Sequence, residues 1–474
     1  MEREYEAVIG LEVHAELKTK TKIFCACPKE FGGEPNTRVC PVCLGLPGAL
    51  PTLNRRVVEL AVMAGLALHC EISTDSFIDR KQYFYPDLPK AYQISQKDVP
   101  LCKKGYLQMK GENGEPISIG IERIHIEEDA GKLVHLEGES RVDYNRCGTP
   151  LIEIVSAPDL HSGADAASYL KEMRATLIAC GVSDCRMQEG EFRCDVNVSV
   201  RKRGNADFGT RTEIKNVNSF SFAEKAIQFE IERQIALLER GESVICETRR
   251  YDEVTGGTVR MRSKETAEDY RYLREANLLP LHLEKAEIEC LRQRLPELPN
   301  EKRHRLQMQY GLAAADVNCL IAEGAAEYFE EIAQKCHFPK VAAHLLLTEL
   351  LRLRQGEKFP ISAQRMGELA TLIGERVINS STAKKLIARL CREDFSPAEV
   401  VEREELAQVR DTQILLHWID TAIEQMPKAV QDYHNGKRAA LQALQGKVMA
   451  LSAARADPEK CEALLLSRLK GEEK

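Results

Sequence analysis

The chain opens on β-patterned sequence. Ala7-Val-Ile-Gly-Leu-Glu-Val13 is apolar and rich in β-branched residues. Cys194-Asp-Val-Asn-Val-Ser-Val200 alternates strictly, with valines on one face and Asp195, Asn197 and Ser199 on the other. Ile117–Ile126 is a third strand-like run. Apolar residues at helical spacing predict helices over Arg55–Leu68, Ala164–Cys180 and Phe222–Arg240. Residues 1 to about 290 therefore read as mixed α/β. Beyond them the texture changes, because only 13 of the 48 Gly and Pro residues lie after residue 300. Helical patterns dominate there, over Val341–Arg354, Ala363–Ile378, Thr382–Leu390 and Asp411–Gln425. Leu295-Pro-Glu-Leu-Pro299 reads as a linker, and a second break runs from Phe395-Ser-Pro397 to Glu404. The expected organisation is α+β in three parts: a mixed domain over 1–294, an all-helical domain over 295–404 and a small helical tail over 405–474.

Composition narrows the class. With 43% hydrophobic and 29% charged residues in 474, the chain reads as a soluble globular protein of several domains. No apolar run approaches the roughly 18 residues of a membrane span. Met1-Glu-Arg-Glu-Tyr-Glu6 lacks the apolar core of a signal peptide. Sixteen cysteines, most of them single and in apolar contexts, then fit reduced thiols in a cytoplasmic protein better than a disulfide scaffold. The net charge of −7 excludes a global polycation, so nucleic-acid contact needs a local patch. Lys428–Lys470 is such a patch, with eight Lys/Arg against four Asp/Glu.

Five segments could carry chemistry. Cys25, Cys27, Cys40 and Cys43 form C-x-C and C-x2-C pairs joined by a short loop, which suits a closed, structural, tetrahedral Zn²⁺. Glu12 and His14, two apart in a strand, share one face; they are either solvent-facing polar residues or a paired carboxylate and imidazole. Glu127-Glu-Asp-Ala-Gly-Lys132 places three acids at a strand end, as a solvated loop or as cation ligands. Asp195, Asn197 and Ser199, with Glu213-Ile-Lys-Asn-Val-Asn218, make either an exposed sheet face or a polar floor for cations and phosphates. Lys81–Gln96 holds four aromatics, two lysines and two prolines, able to stack a base or wall a pocket. No G-x-x-x-x-G-K-[ST] loop is present, so any ATP must be held by metal and carboxylates on a sheet.

These segments, in this order, resemble the GatB family, the B subunits of aspartyl/glutamyl-tRNA(Asn/Gln) amidotransferases. The resemblance spans nearly the whole chain. It rests on Gly10-Leu-Glu-Val-His14, Cys40-Pro-Val-Cys-Leu-Gly-Leu-Pro-Gly-Ala-Leu-Pro51 and Tyr83-Phe-Tyr-Pro-Asp-Leu-Pro-Lys90. Glu127-Glu-Asp-Ala-Gly-Lys132, Val142-Asp-Tyr-Asn-Arg146, Glu213-Ile-Lys-Asn216 and Asp269-Tyr-Arg-Tyr272 continue it. Asp432-Tyr-His-Asn-Gly-Lys437 and Gly446-Lys-Val-Met449 resemble the family's tail. Three segments depart from the family pattern. Ala91 stands where glycine is usual, Tyr272-Leu-Arg-Glu-Ala-Asn-Leu278 replaces Tyr-Phe-Pro-Asp-Pro-Asp-Leu, and His344-Leu-Leu-Leu347 replaces an Asn-Trp segment.

The resemblance implies a cradle-shaped α/β domain, a helical domain and a YqeY-like, tRNA-binding tail. It implies ATP-dependent phosphorylation of the side-chain carboxylate of Glu-tRNA(Gln) or Asp-tRNA(Asn). Amidation follows, with ammonia from the glutaminase A subunit of a complex that also contains a small C subunit. The catalytic set it implies is Glu12, His14, Glu127, Glu128, Asp195, Glu213 and Lys215. On the same resemblance Glu12, His14, Glu127 and Glu128 are expected as Mg²⁺ ligands and Lys215 and Asn216 as ATP contacts, with the four cysteines expected to hold structural Zn²⁺. A different reading keeps the zinc and the tRNA-binding tail but makes the chain a non-catalytic scaffold.

Overall fold

The computed structural model describes residues 4–217, 219–263, 270–354, 358–437, 439–453 and 455–471. The chain divides into two compact units, Met1–Lys302 and Arg303–Lys474.

The first unit is built on a nine-stranded sheet. In chain order its strands are β1 (Tyr5–Glu16), β2 (Glu71–Ile72), β3 (Cys102–Lys110), β4 (Pro116–Glu128) and β5 (Pro150–Ser156), followed by β6 (Phe192–Lys202), β7 (Thr212–Val217), β8 (Glu247–Asp252) and β9 (Gly257–Ser263). Their spatial order is β9-β8-β7-β6-β1-β5-β4-β3-β2, so the first strand lies at the centre. All neighbours are antiparallel except β7 and β8.

Alternation in β1 sorts the two faces. Ile9, Leu11, Val13 and Ala15 are buried in the main core, while Glu12 and His14 point to the other side. Three helices supply the opposing apolar layer: α1 (Arg55–Ala67), α2 (Gly163–Ala179) and α3 (Phe220–Glu239). The Asn54 side chain caps α1 by accepting from the Arg56 N–H, and Ser162 and Ser219 cap α2 and α3 in the same way. Gly65 lets α1 approach the sheet, because a Cβ there would lie 2.4 Å from the Cys102 sulfur. The helices therefore stay on one face, and the polar face of the central strands is left for other use.

The second unit is helical and holds two apolar clusters, one from Leu306 to Val401 and one from Leu415 to Leu469. Three of its four expected helices appear near their expected bounds, as Ala363–Gly374, Ser380–Leu390 and Thr412–Gln425. The apolar spacing predicts a single helix over Val341–Arg354. Instead, a regular helix over Pro339–Leu345 widens into a π turn over Leu346–Leu350 and ends in a 3-10 turn. The Thr348 hydroxyl donates back to the His344 carbonyl at 2.7 Å within that turn. In the last cluster Arg468 forms a bidentate pair with Asp420, both bonds 2.9 Å long. No helix among the described residues is long and apolar enough to cross a membrane.

Candidate active site

Strand register assembles the site. On the polar face Glu12 stands opposite Asp195, and His14 stands opposite Glu153. Glu153 stands opposite His125 on β4, and Asn197 opposite Glu213 on β7. Residues far apart in sequence thus become lateral neighbours across five strands. Together they floor a cavity of about 260 Å³. Lys81, Lys97, Arg123, Arg211, Tyr270 and Tyr272 are among the residues of its walls.

Two trios of possible metal ligands stand on this floor: His14, Glu127 and Glu153, and Glu12, Asp195 and Glu213. Within each trio the ligand atoms lie within 4.8 Å of one another. The first trio is organised by His125, which is 4% exposed. Its Nε2 lies 3.3 Å from Glu153 Oε2 and 3.4 Å from Glu127 Oε2, and Glu153 Oε2 also lies 3.4 Å from His14 Nε2. Burial lowers the His125 imidazole, but Glu153 and Glu127 outweigh it and raise its pKa to about 9. His14 moves up for the same reasons, burial opposing and Glu153 prevailing. Burial resists ionisation of Glu153, yet the imidazoles of His125 and His14 hold its carboxyl well below the usual range. In the second trio Lys215 donates to Asp195 at 3.0 Å and lies 3.4 Å from Glu213. Thr248 donates to Glu213 and Asn197 donates to Glu12. Burial and then the Glu153 charge push Glu12 above its ordinary pKa, with Asp195 and Glu213 adding to the push against the Asn197 hydrogen bond.

This donor set fits hard divalent cations. Carboxylate oxygens with an occasional imidazole, in a cavity roomy enough for water, suit Mg²⁺. The buried Oε2 of Glu127 meets the His125 imidazole at 3.4 Å and makes no closer hydrogen bond.

The cysteines form a separate centre. Cys25, Cys27, Cys40 and Cys43 place their sulfurs within 4.8 Å of one another, and the Cys40–Cys43 pair is 3.9 Å apart. Four sulfurs around Zn²⁺ at about 2.3 Å stand about 3.8 Å apart, so the cluster fits a closed tetrahedral site. The Cys40 N–H donates to the Cys43 sulfur at 3.1 Å. Backbone bonds from Ile23 to Gly148 and from Asn54 to Ile23 fix this loop between β1 and α1.

Six of the sequence-derived site residues converge on the cavity: Glu12, His14, Glu127, Asp195, Glu213 and Lys215. Glu128, expected as a metal ligand, does not line this cavity. Alternation along β4 turns it to the opposite side, where Oε2 accepts from Lys90 at 2.8 Å and Oε1 from the Ile94 N–H at 2.9 Å. The side chain of Asn216 lies outside the described residues, as do Asn218 and Asp269. Glu153 and His125 were missed. The signal for Glu153 was a lone acid in the apolar strand Pro150-Leu-Ile-Glu-Ile-Val-Ser156; for His125 it was the alternation of Arg123, His125 and Glu127.

Two departures acquire a physical account. Ala91 has φ +63°, a conformation that favours glycine. Glu275, in the divergent 272–278 loop, is buried and forms a bidentate pair with Arg80 at 2.7 and 2.8 Å, fixing the loop beside Tyr270 and Tyr272.

The GatB/GatE catalytic domain matches residues 7–289, and the GatB domain with its Yqey element matches residues 327–469. The chain belongs to the GatB family. Among its relatives is the B subunit of the aspartyl/glutamyl-tRNA(Asn/Gln) amidotransferase of Carboxydothermus hydrogenoformans, 48% identical over 98% of this chain and 99% of that one. The protein of the same name from Caldicellulosiruptor saccharolyticus is 47% identical over 98% and 99%. That of Clostridium botulinum is 46% identical over 96% and 97%. The GatB catalytic domain thus contains the whole polar floor and the cysteine cluster, both of which lie between residues 12 and 272.

Proposed function

We propose that this chain is the carboxylate-activating subunit of a glutamine-hydrolysing, ATP-dependent aminoacyl-tRNA amidotransferase. The observation that carries the reading is the pair of metal-ligand trios facing one cavity walled by Lys81, Lys97, Arg123 and Arg211. A carboxylate does not yield to ammonia, because oxide is a hopeless leaving group. The side-chain carboxylate of Glu-tRNA(Gln) or Asp-tRNA(Asn) therefore attacks the γ-phosphorus of ATP, and ADP leaves. Ammonia then attacks the acyl carbon; the bond to phosphate breaks, a proton is lost and the amide forms.

Mg²⁺, when bound, offsets charge on the transferring phosphoryl group. His14, Glu127 and Glu153 hold one cation position, and Glu12, Asp195 and Glu213 hold the other. His125 keeps Glu153 charged and oriented from behind, as groups behind a ligand commonly do. Lys81, Lys97, Arg123 and Arg211 face the phosphates, and Lys215 spans Asp195 and Glu213 beside them. Tyr270 and Tyr272, with Lys81 and Lys97 at 5.0 and 5.5 Å from their ring centres, form a wall able to pack on a base. The cysteine cluster holds structural Zn²⁺.

The chain works in the cytoplasm with a glutaminase A subunit and a small C subunit. Residues 405–474 form the tRNA-binding tail, with Lys437 and Lys447 in its basic stretch; Arg438 lies outside the described residues. The test is amide formation by the assembled complex on both mischarged tRNAs. Glu127→Ala should abolish phosphorylation of the carboxylate and leave tRNA binding intact. Removing the residues after 405 should weaken tRNA binding more than phosphorylation. Wild-type phosphorylation by Glu127→Ala would favour the scaffold reading.

A further inference from the structure

Lys22 is 0% exposed, an unusual place for an ammonium group. It follows β1 and precedes Cys25, and its own N–H donates to the Cys27 carbonyl at 2.9 Å. Its Nζ contacts the Arg38 carbonyl at 2.8 Å, the Tyr144 carbonyl at 3.4 Å and the Cys43 sulfur at 3.7 Å. Among the described ion pairs, no carboxylate pairs with Lys22. Two carbonyls supply dipoles but no countercharge, and burying an ammonium without an anion is strongly disfavoured.

The anion that Nζ contacts is the sulfur cluster, while Glu128, which lines the same cavity as Lys22, is paired with Lys90 at 2.8 Å. Four thiolates around a divalent ion leave a formal charge of −2. We infer that Lys22 is the counter-ion of the metal-bound tetrathiolate. Its ammonium donates to the Cys43 sulfur, reduces the cluster charge to −1 and ties the Arg38 and Tyr144 segments to the metal. The inference rests on the zinc reading above. It makes charge, rather than hydrogen bonding to the two carbonyls, the reason for this lysine.

The experiment uses the full-length chain purified with its metal. Zinc content is measured by elemental analysis, and zinc release by transfer to a chromogenic chelator. Lys22→Met removes charge and donors; Lys22→Gln removes the charge but keeps an amide donor for the carbonyls. Both should release zinc faster, on the order of 10- to 100-fold, the range seen when groups behind a metal ligand are lost. After metal removal the order of stability should reverse. Metal-free Lys22→Met should melt above metal-free wild type, because the wild type then buries an ammonium without its anion. If Lys22→Met does not accumulate as folded protein, Lys22→Gln carries both measurements. Release from Lys22→Gln at the wild-type rate would overturn the counter-ion role and leave a carbonyl clamp. Wild-type protein lacking about one zinc per chain would overturn the metal reading and, with it, the counter-ion.

Discussion

The cysteine loop and the polar floor are both suited to cations, but they are assembled in opposite ways. The cysteine cluster is local: two short pairs of thiols within one loop, fixed to Gly148 and the start of α1. The floor is non-local, because β1, β4, β5, β6 and β7 each contribute side chains that only register brings together. A loop closed by soft ligands suits a metal that stays in place. A row of carboxylates and imidazoles open to a cavity suits cations that arrive with a phosphate-bearing substrate. Breaking the local cluster at a ligand should lower the stability of its loop, whereas losing a ligand from the floor should leave the sheet standing.

The largest effect that separates the two should come from the floor. Glu153→Gln removes one ligand and the shared anion of His14 and His125. Phosphorylation of the substrate carboxylate should fall about 100-fold or more, since a catalytic cation contributes several kcal/mol to the transition state. It should also lose some stability, because two buried imidazoles lose their anion, but its zinc content should stay at the wild-type level. Collapse of the fold instead would make the floor as structural as the cysteines.

Cys40→Ser should behave in the contrary sense. Zinc content and thermal stability should both fall, while phosphorylation per folded molecule stays within about threefold of wild type, because a closed structural site contributes to folding rather than chemistry. Zinc analysis alongside single-turnover phosphorylation checks this. A large loss of turnover in folded protein would erase the distinction between the sites.

Glu128→Gln sharpens the comparison inside one strand. Breaking its buried pair with Lys90 should cost about 3–5 kcal/mol in denaturant unfolding. Divalent cation binding in the cavity should persist, since Glu128 faces away from it. Loss of cation binding at unchanged stability would restore Glu128 to the metal site.

The smallest effect concerns Ala91. Replacing it with glycine at φ +63° should stabilise the chain by about 1 kcal/mol, because an L side chain is strained in the left-handed region. A destabilised Ala91→Gly protein would mean that contacts of the methyl group outweigh the strain.

What the sequence made legible follows the same divide. The cysteine spacing located its cluster because all four ligands lie in one short loop. Glu12 with His14, and Asp195 in its alternating strand, were legible because period two fixes which residues share a face. Glu153 was hidden because its partners, His14 and His125, lie on other strands, and one sequence does not give the register. The side that Glu128 faces was hidden for a related reason: three consecutive acids look like one cluster, but a strand sends neighbours to opposite sides. The widened turn at Leu346–Leu350 was hidden as well, since its apolar spacing resembles that of a regular helix.

In the proposed mechanism, strand register creates two cation positions on one floor. Counting Mn²⁺ bound to the zinc-loaded chain in the presence of a non-hydrolysable ATP analogue tests it most directly. Two ions should bind to wild type, one to Glu153→Gln and one to Glu213→Gln, with none to the double variant. Full occupancy in both single variants, or loss of every ion in either one, would contradict two separate positions.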